Sequence, residues 1–96
     1  MKISDIVAGM SNISVEAKVI DISEKREVNT RYGPRIVADA IIQDDTDQIA
    51  VSLWEKQIDM VKVGDKIKVT GAYVTKFRDK LQLNVPKSGK IEVIKV

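Results

Sequence analysis

The chain of 96 residues has no cysteine and no histidine. Disulfides, thiol nucleophiles, imidazole acid–base chemistry and zinc sites of the usual ligand set are therefore excluded. No apolar run approaches the roughly 18 residues of a spanning helix, and the Met1-Lys2 start leads into no signal-peptide core. The expectation is a cytoplasmic, nucleoid-associated protein with no membrane partner. Charge of one sign is also scarce in excess: the net charge of +2 is too small to announce a polyanionic partner, so what matters is where the charges fall. Aromatic residues are also scarce. There are four, so the core must come from Ile, Val, Leu and Ala, and each aromatic needs its own account.

A hydrophobic content of 44% argues against disorder, and the length fits one small domain over residues 1–96. Residues 1–12 read as a lead-in with a short helical turn, capped by Ser4 or Asp5 and ended by Gly9. From Ile13 to Ser23 the alternation of Val15, Ala17 and Val19 predicts a strand. Its apolar phase then passes to Ile20 and Ile22, which predicts a bulge. A polar connection over 24–34 ends in the turn Tyr32-Gly33-Pro34. Residues 35–43 form a second strand, apolar on both faces, so its phase is open. Asp44-Asp45-Thr46-Asp47 is a tight turn, and residues 48–54 alternate cleanly as a third strand. Ile58 and Val61, three apart, predict about two turns of helix over 55–61. A fourth strand starts at Lys66 and shifts phase at Gly71. Residues 77–80 make a hairpin tip, Leu81, Leu83 and Val85 line a fifth strand, and Ile91, Val93 and Val96 close the chain. The fold class predicted is all-β: a five-stranded Greek-key barrel of the OB type, with a short helix between its third and fourth strands. An SH3-like barrel is the competitor. The helix after strand three and the long first strand favour the OB reading.

In such a barrel oligonucleotides lie across the second and third strands, between two flanking loops. Residues 25–35 hold four basic residues (Lys25, Arg26, Arg31, Arg35) against Glu27, and 76–80 hold Lys76, Arg78 and Lys80 against Asp79. The acidic turn at 44–47 is expected to lie away from the groove. Trp54 falls on the face of Ala50 and Ser52, opposite Val51 and Leu53. Tyr73 and Phe77 sit an even step apart, and Tyr32 lies in the first loop. Aromatic faces among basic residues are the recipe for single strands, because every base has a face to stack. Each residue also has a plain structural reading. Trp54 at a strand end can be packing, Tyr73 can cover Gly71, and Tyr32 can support its turn. Surface Lys and Arg are usually solvated. Phe77 on a charged tip has no local partner to bury it, and the joint pattern carries the nucleic-acid reading.

The stretches Ile42-Gln43-Asp44-Asp45-Thr46 and Ile49-Ala50-Val51-Ser52-Leu53-Trp54-Glu55-Lys56 resemble the archaeal single-stranded-DNA-binding OB-fold family related to replication protein A. The likeness runs on through Val63-Gly64-Asp65, Gly71-Ala72-Tyr73-Val74-Thr75-Lys76-Phe77 and Leu81-Gln82-Leu83-Asn84. It includes the opening Ile3-Ser4-Asp5-Ile6 and Gly9-Met10-Ser11-Asn12-Ile13, and so covers nearly the whole chain. The resemblance implies that bases stack on Trp54, Tyr73 and Phe77. Tyr73 stands where relatives commonly carry Trp, and relatives often continue into a polar or acidic tail.

The expected function is binding of single-stranded DNA with little sequence preference, in replication, recombination and repair. Trp54, Tyr73, Phe77 and Tyr32 would stack bases, while Arg26, Arg31, Arg35, Lys56, Lys76, Arg78 and Lys80 would contact the backbone. Gln82 and Asn84 alternate outward and would meet either base edges or solvent. Two readings stay open beside it: a protein-interaction subunit of a replication-protein-A-like complex, and an RNA-binding domain, with replication or repair proteins as further partners. No enzyme, cofactor or metal is expected. Asp44, Asp45 and Asp47 read as turn chemistry.

Overall fold

Strand β1, Ile13–Ile22, buries Ile13, Val15, Ala17 and Val19 and exposes Ser14, Glu16 and Lys18 between them. That period of two is what a pleated strand with one wet face requires. The computed structural model describes residues 1–86 and 88–94, without the side chains of Lys56 and Phe77. Val96, expected to close the chain with Ile91 and Val93, lies outside the described residues. Beyond β1 come β2 (Arg26–Thr30), β3 (Gly33–Gln43), β4 (Gln48–Trp54), α1 (Lys56–Met60), β5 (Lys66–Phe77), β6 (Lys80–Asn84) and β7 (Lys90–Ile94).

The pairings close a ring. β1 pairs β3, β3 pairs β4, β4 pairs β6, β6 pairs β5, and β5 returns to β1. All are antiparallel except β4–β6, which is parallel and holds only at Ala50–Gln82 and Val51–Leu83. This is the five-stranded, partly open OB barrel, with α1 between β4 and β5, its third and fourth ring strands. Inside it Ile42, Leu53, Ile67 and Leu83 are the largest fully buried side chains, each contributing about 1.5–3 kcal/mol through removal from water. Among the described residues no aromatic belongs to this core.

Both expected bulges are present. The β1–β3 register slips between Val19 and Asp21, leaving Ile20 unpaired and exposed while Ile22 packs on the core. On β5, Thr70 faces Ser14 and Ala72 faces Ile13, so Gly71 is the extra residue. Its φ of +73° suits glycine, and a Cβ there would stand 3.0 Å from Gly89 Cα. The segment leading to β7 crosses β5 at that point.

Three readings are corrected. The polar connection over 24–34 is instead a hairpin, with β2 paired to β3 from Arg26–Val37 to Thr30–Gly33. Backbone pairing at a sheet edge needs no apolar face, so polarity did not mark the strand. Residues 90–94 add a seventh strand along β5. The lead-in is not capped by Ser4 or Asp5: its 3-10 turn Ile3–Asp5 has no side-chain cap of its own. Asp44 Oδ2 accepts from the Ile3 N–H at 2.8 Å and Thr46 Oγ1 from the Ser4 N–H at 3.2 Å. Ile3 and Ile6 are thereby held in the core.

Candidate nucleic-acid interface

Side chains two apart on a strand share a face, and the β3–β4 register pairs Val37 with Trp54, Asp39 with Ser52 and Ile41 with Ala50. Gln82 faces Ala50 across the parallel pairing, and Tyr73 and Thr75 face Asn84 and Gln82 from β5. One outer face of the barrel therefore carries Trp54, Ser52 and Ala50 in the middle, Arg35 and Asp39 on one side, and Gln82 and Tyr73 on the other.

Two hollows lie along it. The first, of about 420 Å³, is lined by Arg35, Trp54, Glu55, Gln57, Tyr73, Val85 and Pro86. Trp54 is half-buried and Tyr73 is 42% exposed, so both rings present surface here while their strands stay anchored. The Arg35 guanidinium lies over the Trp54 indole, 5.1 Å from its centroid, and Nε donates to Glu55 Oε1. Glu55 sits where β4 turns into α1, at φ +49°, ψ −111°. Non-glycine residues rarely adopt that conformation, and it commonly accompanies functional sites. The Glu55 N–H bonds the Ile36 carbonyl at 2.9 Å, and Gln57 Oε1 accepts from the Trp54 N–H at 3.1 Å. The turn behind the indole is thus pinned from both sides.

The second hollow, of about 310 Å³, is lined by Asp39, Ala50, Arg78, Lys80, Leu81 and Gln82. Its charged rim comes from the β5–β6 hairpin, whose two-residue turn places Arg78 at φ +51° and Asp79 at φ +65°, the conformation of a type I′ turn. A polar floor joins the hollows. Gln82 Nε2 donates to Ser52 Oγ, and to Asp39 Oδ1 at 3.2 Å. Arg26 Nη1 reaches Asp39 Oδ2, also at 3.2 Å.

The remaining candidates fall elsewhere. Tyr32, 87% exposed, and Arg31 form the tip of the β2–β3 hairpin and line neither hollow. Lys76 shares its strand face with Val74 rather than Tyr73, and pairs with Asp79 at 3.8 Å. The side chains of Phe77 and Lys56 lie outside the described residues. The acidic turn is not remote: Asp47 lines a further hollow of about 350 Å³ that shares Ala50, Lys80 and Leu81 with the second. Asp44 is committed to the fold. Burial alone would raise its pKa, but hydrogen bonds from Thr46, Ile3 and Asp47 outweigh that and hold the carboxyl well below the usual range.

With this geometry in view, comparison with known proteins decides the family. Residues 7–93 match the Ssb-like single-stranded DNA binding proteins of OB fold. The chain belongs to that family. Among curated relatives of this Ssb-like chain, the single-stranded DNA binding protein Ssb of Saccharolobus solfataricus is 31% identical over 90 residues, covering 94% of this chain and 61% of its own length. Replication factor A of Methanothermobacter thermautotrophicus is 35% identical over 98 residues, 95% of this chain but 12% of its own. The Ssb-like chain thus spans under two thirds of either relative. The solved OB domain of a Thermoplasma acidophilum protein superposes with a TM-score of 0.86 at 30% identity, over the whole of this chain and 87% of that one.

Three residues of the Ssb-like face escaped the sequence reading. Asp39 was masked by a strand apolar on both faces, Ser52 by its bland type, and Glu55 by its place at a helix start. Gln82, given two readings, is tied into the floor rather than solvated.

Proposed function

We propose that the chain binds single-stranded DNA without catalysis and with little sequence preference, and protects or organises it in replication, recombination and repair, as a cytoplasmic, nucleoid-associated protein. One observation carries the reading. Trp54 and Tyr73, from strands far apart in sequence, open onto one hollow with Arg35 stacked on the indole. Bases stack on Trp54 and Tyr73, and Phe77 and Tyr32 are the further stacking residues of this reading, each base contributing about 1–3 kcal/mol. Arg35, Arg26, Arg78 and Lys80 border the face and meet phosphates along it, while Arg31, Lys56 and Lys76 supply outer contacts. Membership of a single-stranded-DNA-binding family supports this, as does the similarity to Ssb and Replication factor A.

The test is fluorescence anisotropy of a labelled oligo-dT strand of about 20 nucleotides across a salt series. Neutralising about five phosphates gives a slope of log affinity against log salt near −3.5. Absence of binding at low salt would overturn the proposal. Tighter binding of an RNA strand of equal length would reassign the ligand to RNA.

A further inference from the structure

A carboxylate stands on a face proposed to receive a polyanion, beside Ser52, and phosphate neutralisation gives it no role. Asp39 is held there from three sides. Its N–H donates to Ser23 Oγ at 2.9 Å, and its carbonyl accepts from the Ser23 N–H at 2.8 Å. Its two carboxylate oxygens receive Arg26 Nη1 and Gln82 Nε2. The side chain nevertheless keeps 31% of its surface open to solvent, in the hollow it shares with Ala50, Arg78, Lys80 and Leu81. An ionised carboxylate offers about four lone-pair positions, two more than these bonds occupy.

The neighbouring amides are turned inward. Gln82 Nε2 bonds both Asp39 and the buried Ser52 hydroxyl. Asn84 Nδ2 donates to Thr75 Oγ1 at 3.0 Å and to the Gln82 carbonyl at 3.4 Å. The Gln82 amide donors are spent on the protein, so the floor of the hollow offers an acceptor beneath the Arg78 and Lys80 cations of its rim. Such a floor discriminates among bases by chemistry that stacking ignores. Cytosine and adenine present an exocyclic amino group, and guanine an N–H pair. Thymine and uracil present carbonyl oxygens on either side of a single N–H, and those oxygens are repelled by a carboxylate.

We infer that Asp39 is a specificity-determining residue, accepting a hydrogen bond from the amino group of one base and biasing that position toward cytosine, adenine or guanine over thymine or uracil. The inference rests on the single-strand binding proposed above and adds a bias at one position to otherwise tolerant stacking. Gln82 holds the carboxylate in place as a positioning residue, and Arg26 offsets its charge.

Homopolymers of deoxycytidine and deoxyuridine, about 12 nucleotides long to match the site size of one OB fold, separate the two claims. Their pyrimidine rings and backbones are alike, and they differ in the edge that meets Asp39. At neutral pH the wild-type protein is expected to bind oligo-dC at least about fivefold tighter than oligo-dU, the lower end of what one well-placed base contact discriminates. In Asp39→Asn the ratio is expected to fall to about one or invert, because the amide adds a donor that a uracil carbonyl accepts. The ratio is the readout, since releasing Arg26 alters affinity for both strands together. Arg26→Ala leaves the carboxylate in place, so both affinities drop and the preference persists; this arm stands even if Asp39→Asn fails to fold. Equal binding of the two strands by wild type, or a preference that survives Asp39→Asn, overturns this inference and leaves single-strand binding intact. Failure of both strands to bind overturns both claims.

Discussion

Replacing Glu55 with Gln should tighten DNA binding while it loosens the fold. In the free protein the Arg35 guanidinium is shared between the Trp54 ring and the Glu55 carboxylate. A phosphate that captures Arg35 must first break that ion pair, so whatever the pair contributes to the free state is subtracted from binding. The two side chains are 40% and 48% exposed, which places the pair in the solvent-screened class of about 0.2–1 kcal/mol. Removing the charge should therefore raise affinity about 1.4- to 5-fold at about 0.1 M salt. The same energy is lost from the folded state, lowering Tm by about 1–8 °C for a domain of this size. Glutamine is no easier than glutamate at φ +49°, so backbone strain is unchanged and the substitution isolates the charge. Anisotropy with oligo-dT and a thermal melt on the same preparation read both quantities. Arg35→Ala is the control and should weaken binding. Weaker binding by Glu55→Gln, or no effect from either variant, would refute the competition and return Arg35 to a purely structural role.

Two further outcomes follow from the same geometry. Tyr73→Ala removes an exposed ring from the first hollow and should weaken oligo-dT binding about 5- to 150-fold, the equivalent of one stacked base, while Tm falls only as far as loss of one cross-strand pair, about 0.2–1 kcal/mol, allows; titration and melting of the same sample check it, and unchanged affinity would remove Tyr73 from the site. Asp44→Asn should destabilise the fold at pH 7, because a carboxyl whose pKa is depressed in the folded state adds stability above its unfolded pKa of about 3.9. That contribution disappears as pH falls from there through the lower folded pKa, so the Tm gap between variant and wild type should be widest near neutrality and shrink below about pH 4; a gap independent of pH would refute the assignment.

The barrel was legible because its apolar periods are clean and its breaks fall at identifiable residues. Val15, Ala17 and Val19 set one phase of β1, and the change at Ile20 marked the bulge. Gly71 marked the other, since an inward phase passing from Val69 to Ala72 needs one extra residue. Strand β2 was hidden for the opposite reason: Arg26–Thr30 pairs through its backbone and buries little, so no period records it. The face itself was legible only in part. Trp54 and Tyr73 stood out by lying off the core phase, but their shared hollow depends on the path of β6 between β4 and β5. In β3, Val37, Asp39 and Ile41 alternate with Ala38, Ala40 and Ile42, and both sets are apolar enough to face inward. Only the pairing with β4 decides that Asp39 points outward. The Arg35–Trp54 and Gln82–Asp39 contacts join residues distant in sequence, and no local pattern announces them.

The central claim is that a base stacks on Trp54, and Trp54 is the chain's single tryptophan. Its intrinsic fluorescence, titrated with oligo-dT of about 20 nucleotides at low and high salt, therefore reports one site. Saturable quenching whose midpoint moves to higher DNA concentration as salt rises is the predicted result. Binding seen by anisotropy with no change in Trp54 emission would contradict the account, because the DNA would then be held somewhere other than the face between Arg35 and Tyr73.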